Sequence, residues 1–230
     1  TATEQLFTWA NFQPGETVLE LAASFGYSAI ALAQRYGVRV VGVEKNPDSV
    51  ARAQANIAAA RLTGQVTIIQ GDIFHLEAII QQFDYVLAEA ILTMQSDAGK
   101  AKVLAGIRDR LKPGGQFLSH ELRVAGDHTD TIHRDLSTTI RVNAAPLPVD
   151  GWFAACQQEG LTVENHDAGP MTLLNPSRIA QEEGVTTLLT IGWNMLTRPV
   201  LRQRILAMRE TFVRHGSDLG YVVLTARKGA

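Results

Sequence analysis

The sequence predicts a doubly wound α/β fold, in which helices cover both faces of a largely parallel sheet. Over the first 122 residues, short apolar segments alternate with segments that have helical periodicity. The apolar segments are hydrophobic at successive positions, which is typical of strands buried on both faces. Because connections between parallel strands are right-handed, helices must then lie on both sides of the sheet.

Five strands can be assigned in order along this part of the chain. They are ETVLELA (16–22), RVVGVEK (39–45), VTIIQGD (66–72), FDYVLAEA (83–90) and QFLSHEL (116–122). The segments between them, SAIALAQRY, DSVARAQANIAAARL, LEAIIQQ and GKAKVLAGIRDRL, are predicted to be helical. Pro113-Gly114-Gly115 ends the last of these helices.

The pattern changes after Val124. Residues 125–148 are polar and interrupted by prolines, which predicts a long loop or lid. A helix, WFAACQQEG, and two strands, LTVENHDAG and GYVVLTARK (220–228), follow, with a helical insertion between the strands whose last helix begins at Pro199. We therefore divide one domain into an N-terminal helix (1–15), a core (16–122), a lid (123–148) and a helical insertion (172–216).

Composition excludes several classes of protein. The formal net charge is −2 and no long run of Lys or Arg is present, so nucleic acid is not an expected partner. No apolar run approaches the ~20 residues of a membrane span, and TATEQLFTWANF does not resemble a signal peptide. The single cysteine, Cys156, is expected to be buried. These features favour a cytoplasmic location.

Acidic residues stand where three successive strands end. Glu20 precedes a loop of small residues that leads to Gly26, Glu44 ends the second strand, and Asp72 ends the third. In an open parallel sheet, ligands bind at the carboxyl ends of the strands. An acid in the position of Glu44 can accept hydrogen bonds from a ribose diol, and Asp72 can accept one from an exocyclic amine. The three together predict a nucleoside site.

At these residues the sequence resembles the class I S-adenosylmethionine-dependent methyltransferases. The similarity runs through FTWANFQPGETVLELA, VEKNPDSVARAQ, GDIF, FDYVLAEAILTM and LKPGGQFLSHEL, in that family's order. The resemblance implies a seven-stranded sheet whose last strand is antiparallel and inserted beside the fifth. It also implies S-adenosylmethionine as the cofactor and methyl transfer as the activity.

The resemblance assigns the cofactor-binding residues. Glu20 and the loop with Ala22, Ser24 and Gly26 would hold the methionine end of the cofactor. Glu44 would bind the ribose beside Lys45, Asp72 and Ile73 would bind the adenine, and Glu89 would border both cofactor and acceptor.

The loop after the first strand departs from the family pattern, which has glycines at the positions of Ala22 and Ser24. We expect alanine to be tolerated there without a positive φ. A nicotinamide dehydrogenase is the rival interpretation. The missing second glycine argues against it, because a pyrophosphate requires close approach of the backbone at that position.

Three residues are candidates for catalysis. Glu89 and Glu121 follow the fourth and fifth strands, where either carboxylate could take a proton or hold a cationic acceptor. The alternative for Glu89 is that it binds the cofactor or orders its loop. His120 faces the side opposite to Glu121 by strand alternation, and ranks below the glutamates as a base.

The segment after the fifth strand contains His128, Asp130, His133 and Asp135. Their spacing fits no common metal motif, so we predict a polar lid and no metal site, with His128 or His133 able to reach the acceptor when the lid closes. Apolar residues of the added segments are expected to pack in the core, and some of them are expected to line an acceptor pocket as well. They are Trp152, Met171, Leu173, Trp193 and Met195.

The sequence thus predicts methyl transfer from S-adenosylmethionine to a small, partly apolar metabolite. A regulatory or scaffold protein that binds the cofactor without transferring the methyl group is the alternative. Neither nucleic acid nor a membrane is an expected partner, and a homodimer is left open. The acceptor atom, whether nitrogen, oxygen, sulfur or carbon, is not specified by these residues.

Overall fold

The computed structural model describes residues 2–126, 128–170 and 199–229, and these residues form seven strands and seven α-helices. The strands are β1 (Thr17–Leu21), β2 (Arg39–Glu44), β3 (Val66–Gln70), β4 (Phe83–Glu89), β5 (Leu111–Val124), β6 (Leu161–Pro170) and β7 (Leu219–Lys228). The helices are α1 (Ala2–Ala10), α2 (Tyr27–Tyr36), α3 (Pro47–Ala59), α4 (Asp97–Arg110), α5 (Thr129–Ile140), α6 (Val149–Gln158) and α7 (Pro199–Arg214). Two 3₁₀ turns, Ile73–Ala78 and Leu92–Met94, follow β3 and β4.

The seven strands form one sheet in the order β3-β2-β1-β4-β5-β7-β6. The first five strands run parallel, and β7 lies antiparallel between β5 and β6. The predicted fold class is therefore confirmed. Strand order reverses between β1 and β4, because β2 and β3 extend the sheet in one direction and β4 and β5 in the other. The carboxyl ends of β1 and β4 meet at this reversal, which is where open α/β sheets bind ligands.

Each face of the sheet packs against its own helices. Val18 of β1 faces the layer formed by α1, α2 and α3, whereas Leu19 faces the opposite layer, which contains α4 and α6. This alternation places Glu20 on the same face as Val18. Trp152 and Cys156 are buried in the opposite layer, and burial raises the pKa of the Cys156 thiol to about 12. The expectation of a buried cysteine is confirmed.

The segment predicted as a loop or lid contains a helix, α5, so the prediction of a long loop was wrong. Ile132 and Leu136 recur at helical spacing and are fully buried against Val124 and Leu219, with Phe212 of α7 beside them. Burial of this apolar stripe outweighs the polar composition of the segment.

Two further expectations concern the apolar residues of the added segments. The Trp152 indole N–H donates to the Leu122 carbonyl oxygen at 3.0 Å and its side chain is 1% exposed, so this residue belongs to the core and does not line an acceptor pocket. Met171, Leu173, Trp193 and Met195 lie outside the described residues.

No helix in the described part of the chain is both long and apolar enough to cross a membrane.

Gly42 in the middle of β2 allows the loop after β1 to approach the sheet closely. It pairs with Glu20 of β1 and Ile68 of β3. A Cβ at this position would lie 2.6 Å from the Ala23 Cβ and would overlap the Ile68 Cδ1. The side chain of Ala23 therefore occupies the space that a larger residue at position 42 would need.

We predict that Gly42→Ala destabilises the protein by about 1–3 kcal/mol, the usual range for overpacking a core. The measurement is the free energy of unfolding in urea. Gly64→Ala is the matched control, because a Cβ there would have no heavy atom within 4 Å. Equal stability of the Gly42→Ala variant and the wild type would show that the loop is not held against β2.

Candidate functional site at the carboxyl ends of the strands

The turn from β1 into α2 has a left-handed backbone at three alternate positions. The φ angles are 53° at Ala22, 48° at Ser24 and 75° at Gly26. The expectation that alanine sits here without a positive φ was therefore wrong. The shape of the turn requires the left-handed region whichever residue occupies it, which costs a non-glycine residue about 1–2 kcal/mol.

Backbone hydrogen bonds hold this loop against the neighbouring strand. The Ala23 N–H donates to the Val43 carbonyl oxygen at 3.0 Å, and the Gly26 N–H donates to the Ala23 carbonyl oxygen at 2.8 Å. The Ser24 N–H donates to Glu44 Oε2 at 2.9 Å. A Cβ on Gly26 would lie 3.4 Å from the Ala53 Cβ, so this glycine packs closely against α3.

A cavity of about 210 Å³ lies beside this loop, where the carboxyl ends of β1 and β4 meet. Its lining combines two carboxylates with small and aromatic side chains. The lining residues are Glu20, Leu21, Ala22, Ala23, Ser24, Phe25, Tyr27, Ser28 and Glu89. Of the residues that the sequence singles out for the cofactor, the structure thus brings Glu20, Ala22, Ser24 and Glu89 together around one space.

A larger cavity, of about 410 Å³, lies at the opposite end of the sheet. Asp84, Tyr85, Lys112 and Arg227 are among the residues that line it. Its charged groups are paired within the protein: Lys112 Nζ lies 2.8 Å from Asp84 Oδ2, and Arg227 Nε lies 2.6 Å from Glu164 Oε1. This cavity is the weaker candidate for the functional site, because it lies at the amino ends of the strands and its charged groups already have partners.

Glu20 is an unusual member of the smaller cavity. Glu20 is 6% exposed, and its buried Oε2 atom has no hydrogen-bond partner among the described residues. Burial and, secondarily, the charge of Glu89 raise the pKa of this carboxyl to about 8. Glu20 lines the cavity, and a ligand donor that reached its unpaired oxygen would satisfy it.

Glu89, across the same cavity, is well supplied with donors. Its Oε1 accepts a hydrogen bond from the Thr3 hydroxyl at 2.8 Å, and its Oε2 accepts one from the Ser28 hydroxyl at 3.2 Å. His120 Nδ1 lies 3.9 Å from Oε1. Burial alone would raise the pKa of Glu89, but His120 and the hydroxyl hydrogen bonds outweigh it and hold the pKa below its usual range.

The remaining predicted cofactor residues lie along the rim beyond the cavity. Glu44 Oε1 accepts from the Asn46 N–H at 2.8 Å, in addition to the bond from Ser24. Lys45 Nζ lies 2.9 Å from Asp72 Oδ2, and this ammonium lowers the pKa of Asp72. Asp72 also accepts from the Phe74 N–H at 3.0 Å and so caps the turn that begins at Ile73. The ends of β1, β2 and β3 are thereby connected.

The structure reverses the ranking of the two candidates on β5. Glu121 accepts hydrogen bonds from the backbone N–H groups of Ile91, Leu92 and Thr93, and from the Thr93 hydroxyl at 2.6 Å. It is 3% exposed, and burial raises its pKa against the effect of these bonds. Because both oxygens hold the turn after β4, the proposed role of Glu121 as a general base does not fit this geometry.

His120 points to the opposite face of the sheet, as strand alternation requires, and this is the face that carries Glu89. Besides its contact with Glu89, it lies 3.4 Å from the Thr3 hydroxyl and packs against the Tyr221 ring, with centroids 5.9 Å apart. The sequence analysis did not identify Thr3, Ser28 or Tyr221. Nothing in their local pattern distinguishes them, since Thr3 lies 86 residues from Glu89 in the chain.

The histidines and aspartates around α5 make structural contacts. His133 Nε2 lies 2.8 Å from the Pro146 carbonyl oxygen, and Asp135 Oδ2 lies 2.8 Å from Nε2 of His215 on the segment after α7. His128 stands at the start of α5, next to Asp130 in its first turn. Among the described residues, no group of three or more histidine, cysteine and acidic side chains could hold a metal ion.

The left-handed loop leads to a prediction about stability. Ala22→Gly should raise the free energy of unfolding by about 0.5–1 kcal/mol, because relief of the strained φ exceeds the added chain entropy of glycine. Ala22→Val should lower it by about 1–2 kcal/mol, since a β-branched residue is disfavoured in this region. Ala31→Gly, in the middle of α2, is the matched control and should destabilise by about 1 kcal/mol. Urea denaturation measures all three, and destabilisation by Ala22→Gly would contradict the strained turn.

The chain is similar to known proteins over its whole length and over its core. A family model described as a methyltransferase domain matches residues 18–115. An uncharacterized protein of Haemophilus influenzae is 31% identical over 227 residues, which cover 99% of this chain and 90% of that protein. An uncharacterized methyltransferase of Synechocystis is 33% identical over 104 residues, which cover 45% of this chain and 46% of that protein.

A solved structure shares the fold. The S-adenosylmethionine-dependent methyltransferase of Thiobacillus denitrificans, in complex with S-adenosylhomocysteine, superimposes with a TM-score of 0.67 at 19% identity, over 97% of this chain and 90% of that one. The matched family region spans β1 to the start of β5 and includes the loop, Glu20, Glu44, Asp72 and Glu89. The chain belongs to the class I S-adenosylmethionine-dependent methyltransferases, with S-adenosylmethionine as its cofactor.

Proposed function

We propose that this enzyme transfers the methyl group of S-adenosylmethionine to a small, partly apolar metabolite. The observation that carries the proposal is the cavity at the strand-order reversal, with the unpaired Glu20 oxygen on one side and Glu89 beside His120 on the other. The lining also includes Phe25 and Tyr27, which add apolar surface. The net charge of −2 gives no general attraction for nucleic acid and favours a small acceptor.

The residues present fit the cofactor. Glu20 and the Ala22–Ser24 backbone would hold its methionine end, because the unpaired oxygen of Glu20 can accept from an ammonium group. Glu44 would hold the ribose diol, since each of its oxygens accepts one hydrogen bond from the protein and retains a second lone pair. Asp72 and Ile73, at the end of β3, would hold the adenine.

When bound, the cofactor supplies an activated methyl group on a sulfonium centre. The protein then has to orient the acceptor and to remove a proton where the acceptor atom carries one. We assign the removal of this proton to His120, because Glu89 is ionised at neutral pH and lies close enough to stabilise an imidazolium. Thr3 and Ser28 fix the Glu89 carboxylate, and the Tyr221 ring supports the imidazole from the other side.

The binding site is tested by calorimetry with S-adenosylmethionine and S-adenosylhomocysteine. Asp72→Ala and Glu44→Ala should each weaken binding by about 1–3 kcal/mol, the cost of leaving a ligand polar group unpaired. Glu77→Ala is the control, because this glutamate is exposed and pairs only with His75 among the contacts of the described residues. Unchanged affinity in both site variants would show that the nucleoside binds elsewhere.

The catalytic assignment is tested by turnover of methyl-labelled cofactor with a metabolite panel, followed by kinetics on the acceptor found. His120→Gln should lower kcat by about 10²-fold with near-normal cofactor affinity, the scale of a lost general base. Glu89→Gln should affect both kcat and cofactor binding, because Glu89 lines the cofactor cavity and contacts His120.

Glu121→Gln provides the comparison. It should lower the free energy of unfolding by about 1–3 kcal/mol, because an amide cannot accept from all four donors, and should leave kcat of the folded enzyme nearly unchanged. A large loss of kcat in folded Glu121→Gln, with normal turnover by His120→Gln, would restore Glu121 as the base.

A further inference from the structure

Glu20 is a buried carboxyl whose surroundings give a negative charge little stabilisation. A hydrogen bond from the Ala29 N–H favours the charged form, but burial outweighs this bond. The neighbours of Glu20 in the sheet are Gly42 of β2 and Leu87 of β4, which offer no side-chain donor. Its Oε2 atom is buried without a hydrogen-bond partner among the described residues, although the side chain lines an open cavity. A buried carboxylate in such a position is costly, and the group takes up a proton instead.

A second carboxylate in the same cavity reinforces this effect. Glu89 receives the hydroxyl groups of Thr3 and Ser28 and lies near His120, so it keeps its negative charge. Two carboxylates that line one small space do not both ionise readily, and Glu20, which receives fewer hydrogen bonds than Glu89, holds the proton. The raised pKa of Glu20, about 8, agrees with this division. At pH 7 most Glu20 side chains are then neutral.

Other charged groups on this face of the sheet and on its helices have partners of their own. From β2, Glu44 accepts hydrogen bonds from the Ser24 and Asn46 N–H groups. From β5, His120 contacts Glu89. From α1 and α2, Glu4 and Arg35 form a bidentate pair at 2.6 Å. From α3, the Arg52 guanidinium lies over the Phe25 ring at 4.9 Å. Of these groups, Glu89 is the one whose charge acts on Glu20.

We propose that Glu20 is a proton-linked receptor for the cationic part of the cofactor, neutral in the free protein and ionised in the complex. This inference rests on the proposed placement of the cofactor in the cavity. S-adenosylmethionine carries a sulfonium and an α-ammonium group, and a cation near the carboxyl favours its charged form. The proton leaves the Glu20 carboxyl for the solvent, and the remaining carboxylate accepts a hydrogen bond from the cofactor.

The sign of the pH dependence follows from linkage. Because the free protein binds one more proton at Glu20 than the complex does, the association constant rises with pH below about 8 and levels off above it. Between pH 6 and pH 7 the contribution of Glu20 amounts to nearly tenfold in affinity. The free cavity also avoids holding two negative charges, which would repel each other until the cation arrives.

The experiment is calorimetry of S-adenosylmethionine binding at several pH values, each in buffers of different ionisation enthalpy, which yields the number of protons released. The cofactor's own amino group titrates as well, so the quantity of interest is the difference between the wild type and Glu20→Gln. We expect this difference to be the larger part of one proton at pH 7 and a minor part of one proton at pH 9. Glu77→Gln, a charge change on the exposed turn after β3, should behave as the wild type.

The difference in proton release between the wild type and Glu20→Gln decides whether Glu20 is the group that loses a proton. Equal proton release by the wild type and Glu20→Gln at pH 7, with both binding the cofactor, would overturn the inference and leave the proposed function intact. Failure of the folded wild type to bind S-adenosylmethionine in the cavity, judged by insensitivity to Glu44→Ala and Asp72→Ala, would contradict the proposed function itself.

A second measurement follows Glu20 without a substitution at that position, which covers the case in which Glu20→Gln does not fold. Carbon-13 NMR of the glutamate side-chain carboxyls should show a buried carboxyl, other than that of Glu121, that is neutral at pH 7 and becomes ionised when S-adenosylmethionine is added. The Glu121 signal is identified by its loss in Glu121→Gln, because this glutamate is also buried with a raised pKa. A spectrum in which every glutamate besides Glu121 is ionised at pH 7 before addition would overturn the inference.

Discussion

The site depends on one sharp turn, the turn by which the chain leaves β1 and enters α2. Its left-handed backbone at Ala22 and Ser24 would unfavourably strain an isolated peptide. The turn persists because Ala23 is bonded to Val43 and packed over Gly42, and because Ser24 is bonded to Glu44. The same contacts set the height of α2 above the sheet, and with it the position of Ser28 opposite Glu89.

The contacts around Glu89 join residues that are far apart in the sequence. The Glu89 carboxylate receives one donor from α1 and one from α2, and it faces a histidine from β5. None of these residues would hold the others in place alone. Their positions are fixed by the buried aromatic and aliphatic packing of α1 against the sheet, in which Leu6 and Phe7 are almost completely inaccessible to solvent.

The regular part of this architecture could be predicted from the sequence. The apolar runs specify the parallel core. Because parallel strands share their direction, the acids at the strand ends, Glu20, Glu44 and Asp72, then lie at one edge of the sheet. The errors arise where long-range contacts decide the outcome. The left-handed φ at Ala22 reflects the geometry of the turn, the helix α5 forms because Ile132 and Leu136 find a buried surface, and the satisfied state of Glu121 depends on N–H groups of another turn. Residue identity alone contains none of this information.

The position of β7 has a consequence for how the molecule reaches its folded state. This strand, which follows the other described strands in the sequence, lies inside the sheet, between β5 and β6, and β6 pairs with no other strand among the described residues. Until residues 219–228 leave the ribosome, β5 is therefore an open sheet edge of the kind that promotes association between nascent chains. The parallel half of the sheet, within residues 17–124, can assemble earlier. The imidazole of His120 gains its aromatic neighbour Tyr221 only with β7, so its surroundings are completed at a later stage of synthesis than the parallel strands.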